Sequence, residues 1–392
     1  MLKFMGLACW LLTLTILFNE DSVEGRMIMN DVNDNAIVKT ITVGADEIID
    51  CYDIYRQPSL NHTLLRNHII QMTPSSYPKG MKLDNIGTLQ LTQTWQKYGS
   101  CPDGTTPIRR KGKYYKHTPL YKHNPSKLSP YKIHDISQKD TSGDHEYAAI
   151  KVAGNFQGVQ AKINLWKPVI EMRSELSVSQ IWVAAGELSD TNTIELGWIV
   201  NPILYGDDHT RFFIYWTAAG YNNSGCYNND CDGFVLTTSN ICLGGDFSEV
   251  STFNGTQKDA TFGVHKDQKT GNWWVRLQGI DVGYYPSSLF NKLSNTADRI
   301  NFGGEILNTK SNGRHTSTQM GSGHFPSEGG LKTSSYFNDI QVVDENNVAK
   351  DPKDYEIHIT NADCYDLRIH NNHDTNGFGF NYGGPGYNAK CP

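Results

Sequence analysis

The sequence lacks two features that mark large protein classes. After residue 25 it has no apolar run long enough for a membrane helix, and it has no long block of basic residues. Its 392 residues include 35 Lys and Arg against 41 Asp and Glu, a formal net charge of -6. Nucleic-acid binding needs a concentrated Lys/Arg surface, so nucleic acid is excluded as the main partner. We expect a globular monomer that binds neither nucleic acid nor membrane.

Familiar catalytic motifs are also missing. The sequence has no G-x-S-x-G elbow, no H-E-x-x-H zinc motif, no P-loop and no G-x-G-x-x-G turn that opens a helix. Ser322 and His324 are close in sequence, but a turn explains them more simply than a catalytic triad. Cys242 lacks the surroundings of a papain-like nucleophile. None of these schemes is therefore favoured.

The N-terminus has the pattern of a signal peptide. Residues 1–25 begin with a basic residue, Lys3, continue through a fifteen-residue apolar run and end in a polar stretch. The apolar run is short for a membrane span. We therefore expect a secreted, extracellular protein. Three N-x-S/T glycosylation sequences agree with this location, at Asn61, Asn222 and Asn254.

Seven cysteines follow the signal peptide, in an oxidising compartment where disulfides form. Two lie in the N-terminal part, two are close neighbours in a turn-rich stretch, and two flank the Gly-rich tail. These candidate pairs are Cys51 with Cys101, Cys226 with Cys231, and Cys364 with Cys391. They leave Cys242 as a free buried thiol, although the sequence leaves the connectivity open. A zinc site with His370 and His373 is an alternative whose spacing matches no standard motif, so we expect no metal and no cofactor.

Charge and composition divide the chain. Residues 1–140 contain 17 basic and 13 acidic residues, a net +4, whereas residues 141–392 contain 18 and 28, a net -10. Residues 116–140 contain three prolines and many Lys, His and Ser, which indicates a linker accessible to proteolysis. We predict a signal peptide at 1–25, a small module at 26–115, this linker, and a large domain. The opposite charges indicate that the module covers the domain, although two separately solvated surfaces explain them equally well.

The large domain shows strand patterns and little helical periodicity. Short alternating runs rich in Val, Ile, Thr and aromatic residues lie close to Gly, Asn or Asp. Ten such runs predict an all-β, antiparallel, two-sheet β-sandwich. They are residues 148–152, 159–165, 178–184, 194–200, 211–216, 234–238, 261–265, 273–278, 299–306 and 336–343. The clear helical candidate is 286–297, with a proline at its start.

Two of these strands each carry a glutamate on the face opposite the core. In residues 193–200, period-two alternation places the apolar side chains from Ile194 to Val200 on one face and Glu195 on the other. Residues 299–306 repeat the arrangement with Glu305. A glycine beside each glutamate leaves room for a ligand to lie against the sheet.

Two such glutamates are what a cleft with paired carboxylates needs. Proximity of two like charges raises one pKa, so the pair can share a proton. The ionised member can then activate water while the protonated member polarises a carbonyl. Solvated surface glutamates give the same sequence pattern. The other carboxylates that remain candidates are Glu187, Asp207, Asp208 and Glu328.

Motifs along the chain resemble those of the plant neprosin family, and the resemblance covers nearly everything after the signal sequence. In the N-terminal part they are CYDIYRQP at 51–58, the segment 64–71 and CPDGTTPIRR at 101–110. In the large domain they are SQIWV at 179–183, IELGW at 194–198, LYGD at 204–207, YWT at 215–217, GCYN at 225–228, FGGE at 302–305, the segment 319–326 and YGGPG at 382–386. So many matches in the same order are specific.

The resemblance implies a secreted glutamic endopeptidase, made as a zymogen with an N-terminal activation peptide. Such enzymes have a two-sheet catalytic sandwich that cleaves after proline at acidic pH with two glutamates and no metal or cofactor. The family's glutamates fall on Glu195 and Glu305. Its paired cysteines fall on Cys226 with Cys231 and on Cys364 with Cys391.

On this interpretation, residues 26–115 are the activation peptide, 116–140 the cleavable linker and 141–392 the catalytic domain. The partners are peptides or proteins that contain proline and, in the zymogen, the protein's own activation peptide. That peptide would block the cleft until acid weakens the hold of the domain's carboxylates on it. The substrate-binding candidates are four side chains that could line the cleft, where an aromatic wall would suit a prolyl ring, although core packing explains each equally well. They are Gln180, Trp198, Tyr205 and Tyr215.

The sequence departs from the family pattern at three places. Cys242 is an additional cysteine, and Asp232 stands where a proline commonly follows the second cysteine of a pair. Asn301 and Phe302 precede the glycines where a tryptophan is more usual, which puts the proline preference in doubt. The alternative function is a non-catalytic cell-wall or carbohydrate-binding β-sandwich, in which aromatic residues such as those at 273–274 stack on sugars.

Overall fold

Antiparallel strands form most of the structure, a computed structural model that describes residues 36–81, 92–110, 144–220, 226–310, 313–370 and 377–392. The predicted signal peptide and linker lie outside the described residues. The strands are β1 Ile37–Val43, β2 Glu47–Asp53, β3 Thr105–Arg109, β4 Asp144–Asn164, β5 Ser177–Ala185, β6 Asn192–Val200, β7 Arg211–Thr217, β8 Cys226–Tyr227, β9 Val235–Leu236, β10 Asp259–Lys266, β11 Trp273–Leu277, β12 Ile280–Tyr285, β13 Ala297–Asn308, β14 Ser335–Asp344, β15 Ala349–Lys350, β16 Tyr355–Ile359, β17 Asp366–His370 and β18 Gly379–Gly383.

One long strand joins the two layers of the sandwich. The first half of β4 pairs with β13 on one side and β16 on the other, and its second half pairs with β10 and β14. The first layer runs β8-β7-β6-β5-β13-β4, and the second continues from β4 through β10, β11 and β12 to β9. β18 and β17 extend the second layer beyond β14. The predicted antiparallel sandwich is confirmed, with both layers in one hydrogen-bonded network.

Alternate side chains of both layers meet in a large apolar core. The predicted core face of β6 is fully buried, from Ile194 through Trp198 to Val200. Across the sandwich, the rings of Phe212 and Phe262 lie 6.0 Å apart. Because this core buries one face of β5, β6 and β13, the opposite face of these strands points away from the second layer.

The predicted helix at 286–297 is wrong. A 3-10 turn spans Ser287–Leu289, further turns follow, and β13 begins at Ala297. Tertiary partners use the backbone groups that a helix would pair internally: the Trp273 indole N–H donates to the Leu293 carbonyl, and the Leu293 N–H donates to the Asn192 side chain. The α-helix that the described residues contain is α1, Pro202–Tyr205. None of their helices is long and apolar enough to cross a membrane.

The structure forms the three disulfides that the sequence favoured. They join Cys51 to Cys101, Cys226 to Cys231, and Cys364 to Cys391. Cys242 is a buried free thiol. It belongs to the large domain, yet it packs in one apolar cluster with Trp95 and the first disulfide, all of which lie in the N-terminal part of the chain.

Residues 36–81 and 92–110, here called the N-terminal region, lie against the large domain through buried amides. Gln57 donates from Nε2 to the carbonyl of Leu236 and accepts from the Leu236 N–H, at 2.9 and 2.8 Å. Gln93 makes the same pair of bonds with the backbone of Cys242, both at 2.8 Å. These contacts carry no charge.

A buried ion pair also crosses this interface. Arg211 of β7 is 1% exposed, and its Nη1 lies 2.8 Å from Glu47 of the N-terminal region. Asp207 pairs with the same guanidinium. Arg109 and Arg110, two of the basic residues counted in the N-terminal part, form ion pairs with acidic residues of their own region. Here the N-terminal region supplies the acid and the large domain the base, the reverse of the expected arrangement.

Candidate active site

Three neighbouring strands present the predicted glutamates on one face. β5 lies between β6, which carries Glu195, and β13, which carries Glu305. Gln180 of β5 lies opposite Gly197 on one side and Gly303 on the other. Because side chains alternate along a strand, the two glutamates and Gln180 project from the same face, away from the core.

The two glycines, Gly197 and Gly303, are required for a reason other than the predicted space for a ligand. A Cβ at Gly197 would collide with the backbone oxygen of Ser179, and one at Gly303 would collide with the backbone oxygen of Ala148. Glycine is therefore required because the neighbouring strand backbones approach closely. A side chain at either position would push the strands apart and displace the glutamate two residues away.

Three side chains form hydrogen bonds with the Glu305 carboxylate: His145, Gln180 and Tyr147. His145 Nδ1 lies 2.8 Å from Oε1, and Gln180 Nε2 donates to Oε2 at 2.8 Å. Glu305 is only 5% exposed. Tyr147 lies directly opposite on β4, and burial, together with the charges of Glu305 and Glu195, raises its pKa well above 10.

Glu195 is buried against tyrosines. It is 7% exposed, and the Thr193 hydroxyl donates to its Oε1 at 2.9 Å. Tyr215 lies opposite it on β7, and Tyr227 follows on β8 with its ring centre 4.9 Å from that of Tyr215. Burial, with a further contribution from the charge of Glu195, raises the pKa of Tyr215, so this phenol stays neutral.

Both glutamates line one cleft, which holds about 390 Å³ of empty space including the part open to solvent. Its lining combines carboxylates, hydrogen-bond donors and apolar rings. The lining residues are His145, Leu176, Val178, Gln180, Trp182, Glu195, Phe213, Tyr215, Tyr227 and Glu305. The structure thus brings together Glu195, Glu305, Gln180 and Tyr215, as the sequence predicts.

The other two predicted substrate-binding residues do not line this cleft. Trp198 is fully buried in the core between the layers, where its indole N–H donates to the Asn164 carbonyl at 2.9 Å. Tyr205 packs in a neighbouring cluster, and its hydroxyl accepts from the Asn228 amide at 2.9 Å. The alternation of side chains in β6 already argues against a substrate-binding role for Trp198, because this residue lies on the core face of the strand.

His145 and Tyr227 are cleft residues that the sequence did not reveal. The first predicted strand of the domain began at residue 148, whereas β4 begins at Asp144. Extending the alternation backwards would have placed His145 on the same face as Tyr147. β8 has only two residues, too few for any alternation to indicate Tyr227.

The remaining candidate carboxylates lie outside the cleft lining, and three form ion pairs elsewhere. Asp207 pairs with Arg211, Asp208 with Lys167 and Glu328 with His324; Glu187 is exposed. Of the predicted glycosylation sites, Asn61 and Asn254 are exposed and Asn222 lies outside the described residues.

One group of side chains in the described ranges has the spacing of metal ligands, namely His315, Cys364 and Cys391. The two cysteines form a disulfide, so neither offers a thiolate. His370 belongs to β17 and is not part of this group, and His373 lies outside the described residues. The disulfide thus leaves His315 as the one side chain of this group that could bind a metal.

Fold and cleft together define a class of protein: an antiparallel β-sandwich with two buried glutamates in one cleft and an N-terminal region anchored on the sandwich. Within this class the chain belongs to the neprosin family. The family model Neprosin matches residues 173–385, more than half of the chain, and the model Neprosin activation peptide matches residues 40–151. Membership supports a peptidase whose activation peptide precedes the catalytic domain.

Solved structures with similarity to the chain include two peptidases and a lectin. Scytalido-glutamic peptidase, with a peptide-based transition-state analogue, is 14% identical with a TM-score of 0.33 over 61% of this chain and 97% of that one. SCP-B, an eqolisin-family peptidase in complex with the tripeptide Ala-Ile-His, is 12% identical with a TM-score of 0.32 over the same shares. CG-16, a homodimeric agglutinin from chicken liver, is 9% identical with a TM-score of 0.23 over 42% and 96%. At these TM-scores the similarity assigns no activity.

Proposed function

We propose that the protein is a secreted glutamic endopeptidase that cleaves after proline at acidic pH with Glu195 and Glu305. The observation that carries the proposal is that both side chains, 7% and 5% exposed, line the same cleft on one sheet face, with Gln180 of β5 in the row between them. Ionised carboxylates are rarely buried without a specific reason. Two of them in one cleft favour a proton-transfer site over a solvated surface.

In the proposed reaction, a water molecule between the glutamates loses a proton to the ionised carboxylate and attacks the peptide carbonyl. The protonated glutamate donates a hydrogen bond to the developing oxyanion and then helps to protonate the leaving amine. One shared proton is required, which explains an acidic working range. The neutral phenols of Tyr215 and Tyr227 form a wall beside Glu195 that suits the apolar ring of a proline.

Glutamine substitutions test the pair, because an amide keeps the shape of a carboxylate but cannot take up the proton. Glu195→Gln and Glu305→Gln should each abolish cleavage of a proline-containing reporter peptide at about pH 3 to 5. Glu187→Gln is the matched control, since Glu187 is exposed outside the cleft, and it should keep wild-type activity. Retained activity in either cleft variant would exclude the dyad.

The N-terminal region is proposed to act as the activation peptide of a zymogen. Its buried amide pairs with the domain and the Glu47–Arg211 ion pair support stable docking. No residue of its described part lines the cleft. If purified full-length protein digests peptide before any cut within 116–140, latency is excluded.

The alternative function, a carbohydrate-binding sandwich, was suggested by the aromatic residues at 273–274, and the structure does not place them where a sugar could bind. Trp273 lies in the core between the layers, and Trp274 lies beneath Leu60 and Leu65 of the N-terminal region. Both indoles are fully buried, so neither is placed to stack on a sugar in this form of the chain. Glycan binding that persists in the double glutamine variant, without peptide cleavage, would favour this alternative.

A further inference from the structure

A histidine contacts Glu305 directly in the cleft. We infer that His145 is a positioning residue for the proposed peptidase reaction: its imidazolium keeps the Glu305 carboxylate ionised and oriented in acid. The inference rests on the proposed function, because it assigns Glu305 as the glutamate that accepts the proton from water. Glu195 is then the protonated partner that faces the oxyanion.

The contact geometry supports a directed interaction. His145 Nδ1 lies 2.8 Å from Oε1, while Gln180 occupies Oε2 at 2.8 Å, so each carboxylate oxygen has its own donor. His145 is 20% exposed and lines the cleft, close enough to solvent to exchange a proton. An imidazole takes up a proton in mildly acidic solution, and its Nδ1–H then donates to the carboxylate with a full positive charge.

His145 belongs to the catalytic domain by structure. It is the second residue of β4, and β4 pairs with β13 and β16 in one layer and with β10 and β14 in the other. A cut C-terminal to His145 would remove paired backbone from the centre of the sandwich. Although the activation-peptide match extends to residue 151, an activating cut in the predicted linker leaves His145 in the mature enzyme.

Other ionisable groups near the pair are few among the described residues. Tyr147 of β4, Tyr215 of β7 and Tyr227 of β8 all have pKa values raised by burial, and so remain neutral in acid. Glu195 of β6 is the other carboxyl group of the cleft lining. His358 of β16 contacts the far side of Tyr147, where burial, followed by the charge of Lys151, lowers its pKa. His145 is therefore the basic side chain placed against Glu305 within the described cleft lining.

An asparagine substitution separates charge from geometry. Asn places an amide N–H close to the position of Nδ1, so His145→Asn keeps a neutral donor and removes the cation. Since an opposite charge within hydrogen-bond distance lowers a carboxyl pKa by about one unit or more, the acid limb of kcat/KM should move upward by about one pH unit. The maximum of the profile should stay within about threefold of wild type, since the donor remains.

His324 offers a matched control for the His145 substitution. Its Nδ1 also lies 2.8 Å from a carboxylate, that of Glu328, but the pair lies outside the cleft lining. His324→Asn should leave the acid limb unchanged. Profiles are measured on a proline-containing peptide after the full-length chain has been activated by a cut within 116–140. If His145→Asn matches wild type at every pH while cleavage persists, His145 only contributes a neutral hydrogen bond and the inference fails.

A second readout does not need activity. With ¹³C-labelled histidine, the NMR titration midpoint of His145 should fall in Glu305→Gln, because the imidazolium loses its anionic partner. If this shift occurs but the wild-type chain, with its linker cut, cleaves no peptide, the pairing stands and the proposed function fails. If the midpoint is unchanged, the ionic pairing is excluded whether or not peptide is cleaved.

Discussion

The side-chain amide of Gln57 pairs with the backbone of Leu236 as a neighbouring strand would. It donates to the carbonyl and accepts from the N–H, and both residues are at most 1% exposed. Because an amide does not titrate, this contact between the N-terminal region and the large domain is equally strong at neutral and acidic pH. Release of the region in acid must therefore begin at charged contacts or at a cut in the chain.

Gln57→Ala should weaken docking of the N-terminal region. The change leaves the N–H and carbonyl of Leu236 buried without partners, at a cost of about 1 to 3 kcal/mol. We expect a lower free energy of unfolding and faster release of the region after the linker is cut. Urea unfolding and size-exclusion chromatography of cut protein measure these two effects.

Gln268→Ala is the control for that experiment, since Gln268 is an exposed glutamine of the large domain. It should unfold and release the N-terminal region as wild type does. Equal behaviour of the Gln57 variant and this control would show that the buried amide pair contributes nothing to docking.

Gln180→Leu should slow the reaction without unfolding the sheet. The substitution removes the N–H that donates to Glu305 Oε2, while Leu preserves most of the apolar volume. A hydrogen bond to a charged group is worth about 1.5 to 3 kcal/mol, so kcat should fall about 10- to 100-fold. KM should change less, because the bond is made to a catalytic group. A rise in KM alone, with kcat intact, would make Gln180 a substrate contact instead.

Local alternation predicted the two glutamates because it depends only on neighbours in sequence. The period of two in β6 and β13 is visible in each strand alone, and it assigns Glu195 and Glu305 to the face opposite the core. Their meeting in one cleft depends on β5 lying between them, a pairing over more than a hundred residues. The contact of His145 with Glu305 spans 160 positions and has no local pattern at all.

The charge count does not identify which charged groups meet at the interface. Counting residues gave a basic N-terminal part beside an acidic domain, but Arg109 and Arg110 are neutralised by acids of their own region. The ion pair that crosses the interface has the opposite polarity, with Glu47 against Arg211. Net charge reports the sum over a segment, whereas docking depends on which few groups are buried.

Acid should destabilise the protein through His265. This side chain of β10 is fully buried, with its ring 5.4 Å from that of Tyr77 of the N-terminal region. Burial, assisted by Arg276, lowers its pKa to about 3. The unfolded chain, with an ordinary histidine pKa of about 6.5, takes up the proton first. Stability is therefore full above about pH 6.5 and is lost as pH falls toward 3, by an amount on the order of 4 kcal/mol.

His265→Leu should reduce this loss. Measured by urea unfolding in a Glu195→Gln, Glu305→Gln background that prevents self-digestion, the variant should gain stability relative to its parent as pH falls from 7 to 4. His209→Gln, at an exposed histidine, should follow its parent at every pH. Parallel curves for the His265 variant and its parent would show that this histidine does not drive the loss.

Cys242 should report departure of the N-terminal region. The thiol is fully buried in a cluster with Trp95 and the Cys51–Cys101 disulfide, and burial raises its pKa to about 12. Because the thiolate is the reactive form, iodoacetamide at neutral pH should leave the intact chain unlabelled. Once the region is cut and removed, intact-mass spectrometry should show rapid addition of a single label. Cys242→Ser should remain unlabelled in both states, and rapid labelling of the uncut chain would mean that the region does not shield this surface.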